Sequence, residues 1–194
     1  MKIGVLAIQG AYAKHQQMLA QLGVTSVLVK HPDQLAVDGL IIPGGESTTI
    51  TKILRSEDWF TEVRDYARTH PVFGTCAGAI LLSRTAGSPK VDPWNIIDME
   101  VRRNAYGRQI ASFTTQIPWN VNNSAKQLPA TFIRAPIIEH TSAETEVLSE
   151  YDGRPVVVRQ GSALAATFHP ELTDSTEIHR YFVENVCEPA KAPQ

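Results

Sequence analysis

The chain has 194 residues, 43% of them hydrophobic and 20% charged, with a formal net charge of −2. That length fits one domain with a sizeable core, and the near-neutral charge argues against nucleic-acid binding, which usually leaves a strongly basic face. No apolar run approaches the ~20 residues that span a bilayer. The start, Met1-Lys2-Ile3-Gly4, reads into a strand rather than a signal peptide, so a cytoplasmic protein is expected. Two cysteines make no disulfide framework, and a reducing compartment suits a protein that depends on a free thiol. Cys187, near the end, reads as a structural or incidental thiol.

Residues 3–8 form a continuous apolar run, as expected of a strand covered on both faces. After Gly10, residues Ala11, His15, Met18, Leu19 and Leu22 recur at helical spacing, and Gly23 ends that helix. Strands are expected at 27–29, 39–42 and 72–74, with helical sequence at 48–54, 59–68 and 77–83. This alternation predicts parallel strands joined by right-handed helical crossovers. From about residue 90 the strand candidates at 99–103, 112–117, 131–134, 147–150, 155–160 and 164–167 lie too close together for crossover helices. An antiparallel layer is expected there. A final helix is expected from Thr173 or Asp174 to Val186, opened by a capping pair of Asp174 and Glu177. Residues 1–187 thus read as a single domain and 188–194 as a flexible tail.

Three segments carry chemistry. In Phe73-Gly74-Thr75-Cys76-Ala77-Gly78-Ala79 a strand runs into a helix across a turn flanked by small residues, which leave room for a strained central side chain. Cys76 would sit at the helix N-terminus, where the macrodipole favours thiolate, with the Ala77 N–H placed for an oxyanion. Alone, Cys76 reads more readily as a small buried side chain in a glycine-rich turn. In Phe168-His169-Pro170-Glu171 the proline stiffens the backbone between a base and its orienting carboxylate, the two groups a cysteine nucleophile needs. In Pro43-Gly44-Gly45-Glu46-Ser47-Thr48-Thr49 two glycines at a strand end let backbone amides approach a ligand closely. The spaced Gly and Lys-Ser/Thr of a phosphate loop are absent, and Ser47 or Thr48 would also serve as an N-cap.

Together these segments resemble a class I, triad-type glutamine amidotransferase. The likeness is closer than the superfamily: it is a resemblance to the glutaminase subunits of pyridoxal 5′-phosphate synthase. It runs through Leu6-Ala7-Ile8-Gln9-Gly10, the two glycine-rich segments, Arg103-Asn104-Ala105-Tyr106-Gly107-Arg108-Gln109, Phe132-Ile133-Arg134-Ala135-Pro136 and Phe168-His169-Pro170-Glu171-Leu172-Thr173. The resemblance implies a flavodoxin-like α/β fold, an open, mostly parallel sheet flanked by helices with a small antiparallel extension. It implies hydrolysis of L-glutamine to glutamate and ammonia, with no cofactor or metal. The ammonia would pass to a separate synthase subunit, within a large hetero-oligomer, for vitamin B6 biosynthesis.

By the same resemblance Cys76 is the nucleophile, His169 the general base then acid, and Glu171 the orienting carboxylate. Gly45, Glu46, Ser47, Arg103, Ile133 and Arg134 would bind L-glutamine; Gly44, Gly45 and Ala77 would form the oxyanion hole. Gln9 is a candidate for the partner interface, with a part in forming that hole. An arginine at either strand end suits a substrate carboxylate as a charge-assisted donor. Residues 90–98 depart from the family pattern, which leaves open the loop shape before Arg103. Other readings are a glutaminase subunit serving another synthase, a cysteine hydrolase or redox chaperone, and an inactive interaction module. The last two fit less well, because Ala77 stands where such hydrolases carry histidine and the triad residues are intact.

Overall fold

The computed structural model describes residues 1–103, 112–121 and 124–191. Its centre is a seven-stranded sheet in the order β2-β1-β3-β4-β11-β10-β9. Strands β1 (Lys2–Leu6), β2 (Thr25–Val29), β3 (Gly39–Ile42), β4 (Val72–Thr75) and β11 (Ala163–Ala166) run parallel. The edge strands β9 (Glu146–Tyr151) and β10 (Arg154–Gln160) are antiparallel. This is the flavodoxin-like order with an antiparallel edge.

The apolar runs of these strands follow from burial on both faces. Leu40 and Ile42 of β3 enter one core with Val72, Ala163 and Ala165, whereas Ile41, Phe73 and Leu164 enter the other. That alternation is the two-residue period of a pleated strand. The first core is closed by α2 (Ser47–Ser56), α3 (Phe60–Thr69) and α4 (Ala77–Leu82), together with Trp94 and Ile97. The second is closed by α1 (Tyr12–Gln21), the hairpin β6 (Ser112–Val121) with β7 (Ser124–Ile133), and the C-terminal helix. So α1 leaves β1 toward one face and α2 leaves its neighbour β3 toward the other. Between diverging connections of this kind, at the carboxyl ends of the strands, open α/β sheets form their crevice.

Several expectations need correction. The segments at 147–150, 155–160 and 164–167 do pair antiparallel in series, but not as a separate layer: β11 also lies parallel to β4, pairing Leu164 with Phe73 and Ala166 with Thr75. The separate antiparallel pieces are the β6–β7 hairpin and the pair β5 (Met99–Arg102) with β8 (Ile137–Thr141). Asp174 and Glu177 do not cap the last helix. Its α-helical part, α5 (Glu177–Tyr181), begins after Thr176, and Ser175 Oγ accepts the Glu177 N–H at 3.4 Å. Beyond it Phe182–Cys187 is a π-helix and α6 (Glu188–Lys191) continues helically, so the end expected at Val186 is passed. Residues 192–194 lie outside the described residues. None of the described helices is long and apolar enough to cross a membrane.

Candidate active site

Cys76 occupies the turn between β4 and α4 with φ 48° and ψ −100°, a left-handed φ that non-glycine residues rarely adopt. Its N–H donates to the Ala166 carbonyl at 2.9 Å, which locks the turn to β11. The flanking glycines are required by close approach. A Cβ at Gly74 would meet the Gly78 carbonyl carbon at 2.5 Å, and one at Gly78 would overlap the Ile42 carbonyl oxygen. The strain is therefore held by backbone-to-backbone packing on both sides.

His169 follows β11 and is tied across to the hairpin by its N–H, which donates to the Thr131 carbonyl at 2.8 Å. Its Nδ1 lies 2.8 Å from Glu171 Oε1, so Nε2 is the ring nitrogen left for Cys76. Glu171 sits in a short 3-10 turn, Pro170–Leu172, and is 1% exposed. Burial works against a charged His169. The hydrogen bonds to Cys76 and Glu171 and the charge of each prevail, raising the imidazole to about 10. At neutral pH His169 is the protonated partner of Cys76.

Gly44 packs between these two side chains: a Cβ there would overlap His169 Cε1 and lie 3.2 Å from Cys76 Cβ. The Gly44 N–H is already donated to Thr75 Oγ1 at 3.1 Å. Its carbonyl oxygen lies against Gly10, where a Cβ would overlap it. Gly45 has φ 154°, and the Glu46 N–H beyond it donates to Gln9 Oε1 at 2.9 Å, so Gln9 pins this turn.

Glu46, rather than Ser47 or Thr48, is the N-cap of α2. Its carboxylate accepts from the Thr48 and Thr49 N–H groups and from both hydroxyls. Its partial burial opposes ionisation, but those hydrogen bonds prevail and lower it to about 2. Arg103 Nη2 donates to Glu46 Oε1 at 2.9 Å. The Ser47 hydroxyl is buried and has no hydrogen-bond partner among the described residues.

A cavity of about 360 Å³ is lined by Cys76, His169, Gln9, Gly45, Glu46, Ser47, Arg103, Ile133 and Arg134, with Gly10 and Ile80 completing the wall. Each of the nine named first carries an expected role; Gly10 and Ile80 carried none. Arg134 is exposed at the end of β7 with φ 44°, and the Ile133 carbonyl is 4.0 Å from Cys76 Sγ. Glu171 stands behind His169, and Ala77 opens α4 with 1% exposure. The motif positions 104–109 lie outside the described residues. Among the described residues, no group of three or more His, Cys, Asp or Glu side chains is placed to hold a metal ion. Chemically, the cavity offers a thiol, a protonated imidazole with a buried carboxylate behind it, and two arginines with one carboxylate along its rim.

The model of the SNO glutamine amidotransferase family matches residues 5–188. A pyridoxal 5′-phosphate synthase subunit PdxT from Solibacter usitatus is 47% identical over 190 residues, covering 95% of this chain and 99% of the relative. The subunit of the same name from Thermotoga maritima is also 47% identical over 190 residues, covering 96% of this chain and all of the relative. A crystal structure of a glutamine amidotransferase superposes with a TM-score of 0.86 at 40% identity, covering 94% of this chain and 97% of that one. A putative GMP synthase subunit from Thermoplasma acidophilum, at 18% identity and a TM-score of 0.66 over 96% of this chain and 94% of its own, shares the fold. The chain belongs to the SNO glutamine amidotransferase family.

Proposed function

We propose that this chain hydrolyses L-glutamine to L-glutamate and ammonia with Cys76, His169 and Glu171, and delivers the ammonia to the synthase subunit that makes pyridoxal 5′-phosphate. The observation that carries the reading is the cavity in which a strained Cys76 meets a protonated His169 backed by a fully buried Glu171. The Cys76 sulfur attacks as thiolate, its proton being the one His169 carries: a C–S bond forms at the side-chain amide carbon and the carbonyl electron pair moves onto oxygen. The Ala77 N–H and an amide of the Gly44–Gly45 loop receive that oxyanion. His169 gives its Nε2 proton to the leaving nitrogen, the C–N bond breaks and ammonia departs. Neutral His169 then takes a proton from water, the hydroxide adds to the thioester, and C–S cleavage releases glutamate and restores the ion pair.

Glutamine would be held by its α-carboxylate at Arg103 or Arg134 and by its α-ammonium at Glu46, with the Ser47 hydroxyl free to donate. The Gly44 N–H bond to Thr75 and the packing of its carbonyl on Gly10 support a resting loop that must turn to complete the oxyanion hole. Activity should therefore be low for the chain alone and rise in the complex, a large hetero-oligomer of the cytoplasm. The test is to mix the chain with a pyridoxal 5′-phosphate synthase subunit and that subunit's substrates, a pentose phosphate and a triose phosphate. Pyridoxal 5′-phosphate should form with glutamine as sole nitrogen source. Formation only when free ammonia is added would refute the assignment, and an isolated chain as active as the mixture would refute the gating.

A further inference from the structure

Behind the triad lies a second polar chain that the reaction above does not use. His15 of α1 and His179 of α5 are both fully buried. His15 Nδ1 is 2.9 Å from His179 Nε2. On its other side His15 Nε2 lies 3.3 Å from Thr75 Oγ1 and 3.5 Å from Glu171 Oε2. The ring of Phe73, in the middle of the sheet, meets both imidazoles edge-on, at 6.5 Å from His15 and 5.7 Å from His179. Both imidazoles are thus packed in place and hydrogen-bonded in series.

Their proton positions follow from what each nitrogen faces. Burial pushes His15 well down, helped by the charges of His179 and His169, and burial alone lowers His179 to about 3, so both rings are neutral. Each then carries one N–H. If His15 held its proton on Nδ1, a bare nitrogen would face the Glu171 carboxylate, and the His179 proton would sit on Nδ1, which has no partner among the described residues. A buried N–H without an acceptor is costly, whereas a bare ring nitrogen gives up much less. In the other arrangement His179 Nε2–H donates to His15 Nδ1, and His15 Nε2–H points at Glu171 Oε2 and Thr75 Oγ1. No ring N–H is then orphaned and no bare ring nitrogen faces the carboxylate, which together outweigh the Thr75 hydroxyl's loss of His15 Nε2 as an acceptor.

We infer that His15 is a positioning residue: its Nε2–H, held in that tautomer by His179, bridges Glu171 Oε2 and Thr75 Oγ1 and so aligns the carboxylate behind His169 with the loop that carries Gly44. The bridge joins the two halves of the site. Glu171 Oε1 orients His169 at 2.8 Å, while Thr75 Oγ1 holds the Gly44 N–H at 3.1 Å. Among the described residues Glu171 Oε2 makes no hydrogen bond of normal geometry, and the His15 Nε2 that faces it at 3.5 Å is what keeps that oxygen from turning away from the imidazole's side. The inference deepens the glutaminase reading and rests on it.

The experiment compares His15→Leu and His15→Gln with wild type in the glutaminase assay, each mixed with the synthase subunit. Glutamine would place an amide N–H near the imidazole Nε2 position, whereas leucine fills the space without a donor. For His15→Leu, kcat should fall about 10- to 100-fold, the size of effect expected from losing a charge-assisted hydrogen bond. KM should stay within about twofold, since His15 does not touch the substrate cavity. His15→Gln should recover most of the loss, which rescue of packing alone would not achieve. In wild-type chain with ¹⁵N-labelled histidine, NMR should find His15 protonated on Nε2 and bare on Nδ1, a reading independent of any variant's folding. A kcat for His15→Leu within twofold of wild type, a glutamine variant no better than leucine, or an Nδ1–H tautomer would each overturn the inference. If wild type releases no ammonia from glutamine, the glutaminase reading fails by itself, and the tautomer measurement still decides the proton arrangement.

Discussion

Gly44→Ala is the sharpest perturbation of the site, because one methyl group is added and no chemical group is lost. Gly44 has no positive φ, so the backbone itself does not forbid alanine. What stands in the way is the triad: the new Cβ would overlap His169 Cε1 and lie 3.1 Å from Nδ1 and 3.2 Å from Cys76 Cβ. Carbon atoms settle at about 3.5–4.0 Å, so the imidazole must retreat by on the order of 1 Å. Its 2.8 Å bond to Glu171 Oε1 would then stretch to roughly 3.8 Å, beyond hydrogen-bonding range. Displacing a reacting group by that much costs about 100-fold in rate. The titration of His169 should move with it. Burial, which lowers the imidazole, remains, while the contacts to Cys76 and Glu171 that raise it to about 10 weaken, so the value falls. Glutaminase kcat measured in the presence of the synthase, together with an NMR titration of the His169 ring, checks both effects. A kcat within threefold of wild type and an unchanged titration would refute the reasoning.

Cys76→Ala should abolish ammonia release while leaving thermal unfolding nearly unchanged; any remaining glutamine-dependent ammonia would remove Cys76 as the nucleophile. Glu171→Gln should lower kcat by about 10³- to 10⁴-fold, the range seen when a triad's orienting carboxylate is lost. The same variant tests the pH dependence of stability. Because His169 is raised above its ordinary 6.5, its contribution is complete below pH 6.5 and disappears as pH rises through about 10. Melting temperatures between pH 6 and 10.5 should fall more for wild type than for Glu171→Gln. Glu46→Ala should cost about 1 kcal/mol at neutral pH by uncapping α2, and should raise the KM for glutamine by releasing Arg103. Glu46 is lowered to about 2, so its contribution is present above its ordinary 4.5 and is lost as pH falls through 2. Urea unfolding of the two proteins should converge across that window, and a constant difference would count against the carboxylate as the cap.

What was readable in the sequence shares one property: the signal is local. The apolar runs of β1 and β3, the Gly74-Thr75-Cys76-Ala77-Gly78 turn and His169-Pro170-Glu171 each fit within a few residues. What was misread depends on distant pairing. Residues 163–166 are small and apolar, equally suited to either neighbour, and only the register with Val72–Thr75 makes β11 a central parallel strand. The β6–β7 hairpin carries Pro118 and Pro129 and an exposed polar face, so β7 showed through only in its last residues, near Thr131. His15 fitted the helical period of α1 and passed as one more core position. Its meaning depends on His179, far along the chain and brought to it by the fold. Gly10 read as punctuation after a strand, because the carbonyl it admits belongs to Gly44.

The closeness of these backbone crossings bears on how such a site could be regulated. Gly10 abuts the Gly44 carbonyl, Gly44 abuts His169, Gly74 abuts Gly78, and Gly78 abuts Ile42. Four strand ends are thereby stacked with almost no side-chain padding, so the turn at Cys76 has nowhere to relax. The Gly44–Gly45 segment differs from its neighbours. It is held by two side chains, through the Gly44 N–H to Thr75 and the Glu46 N–H to Gln9. Exchanging such bonds for others costs little compared with repacking a core. A partner bearing on the Gln9–Gly10 turn or on α1 would therefore find this loop the cheapest part of the site to move. The nucleophile and its base would stay in place, and the oxyanion donors would be the part that changes.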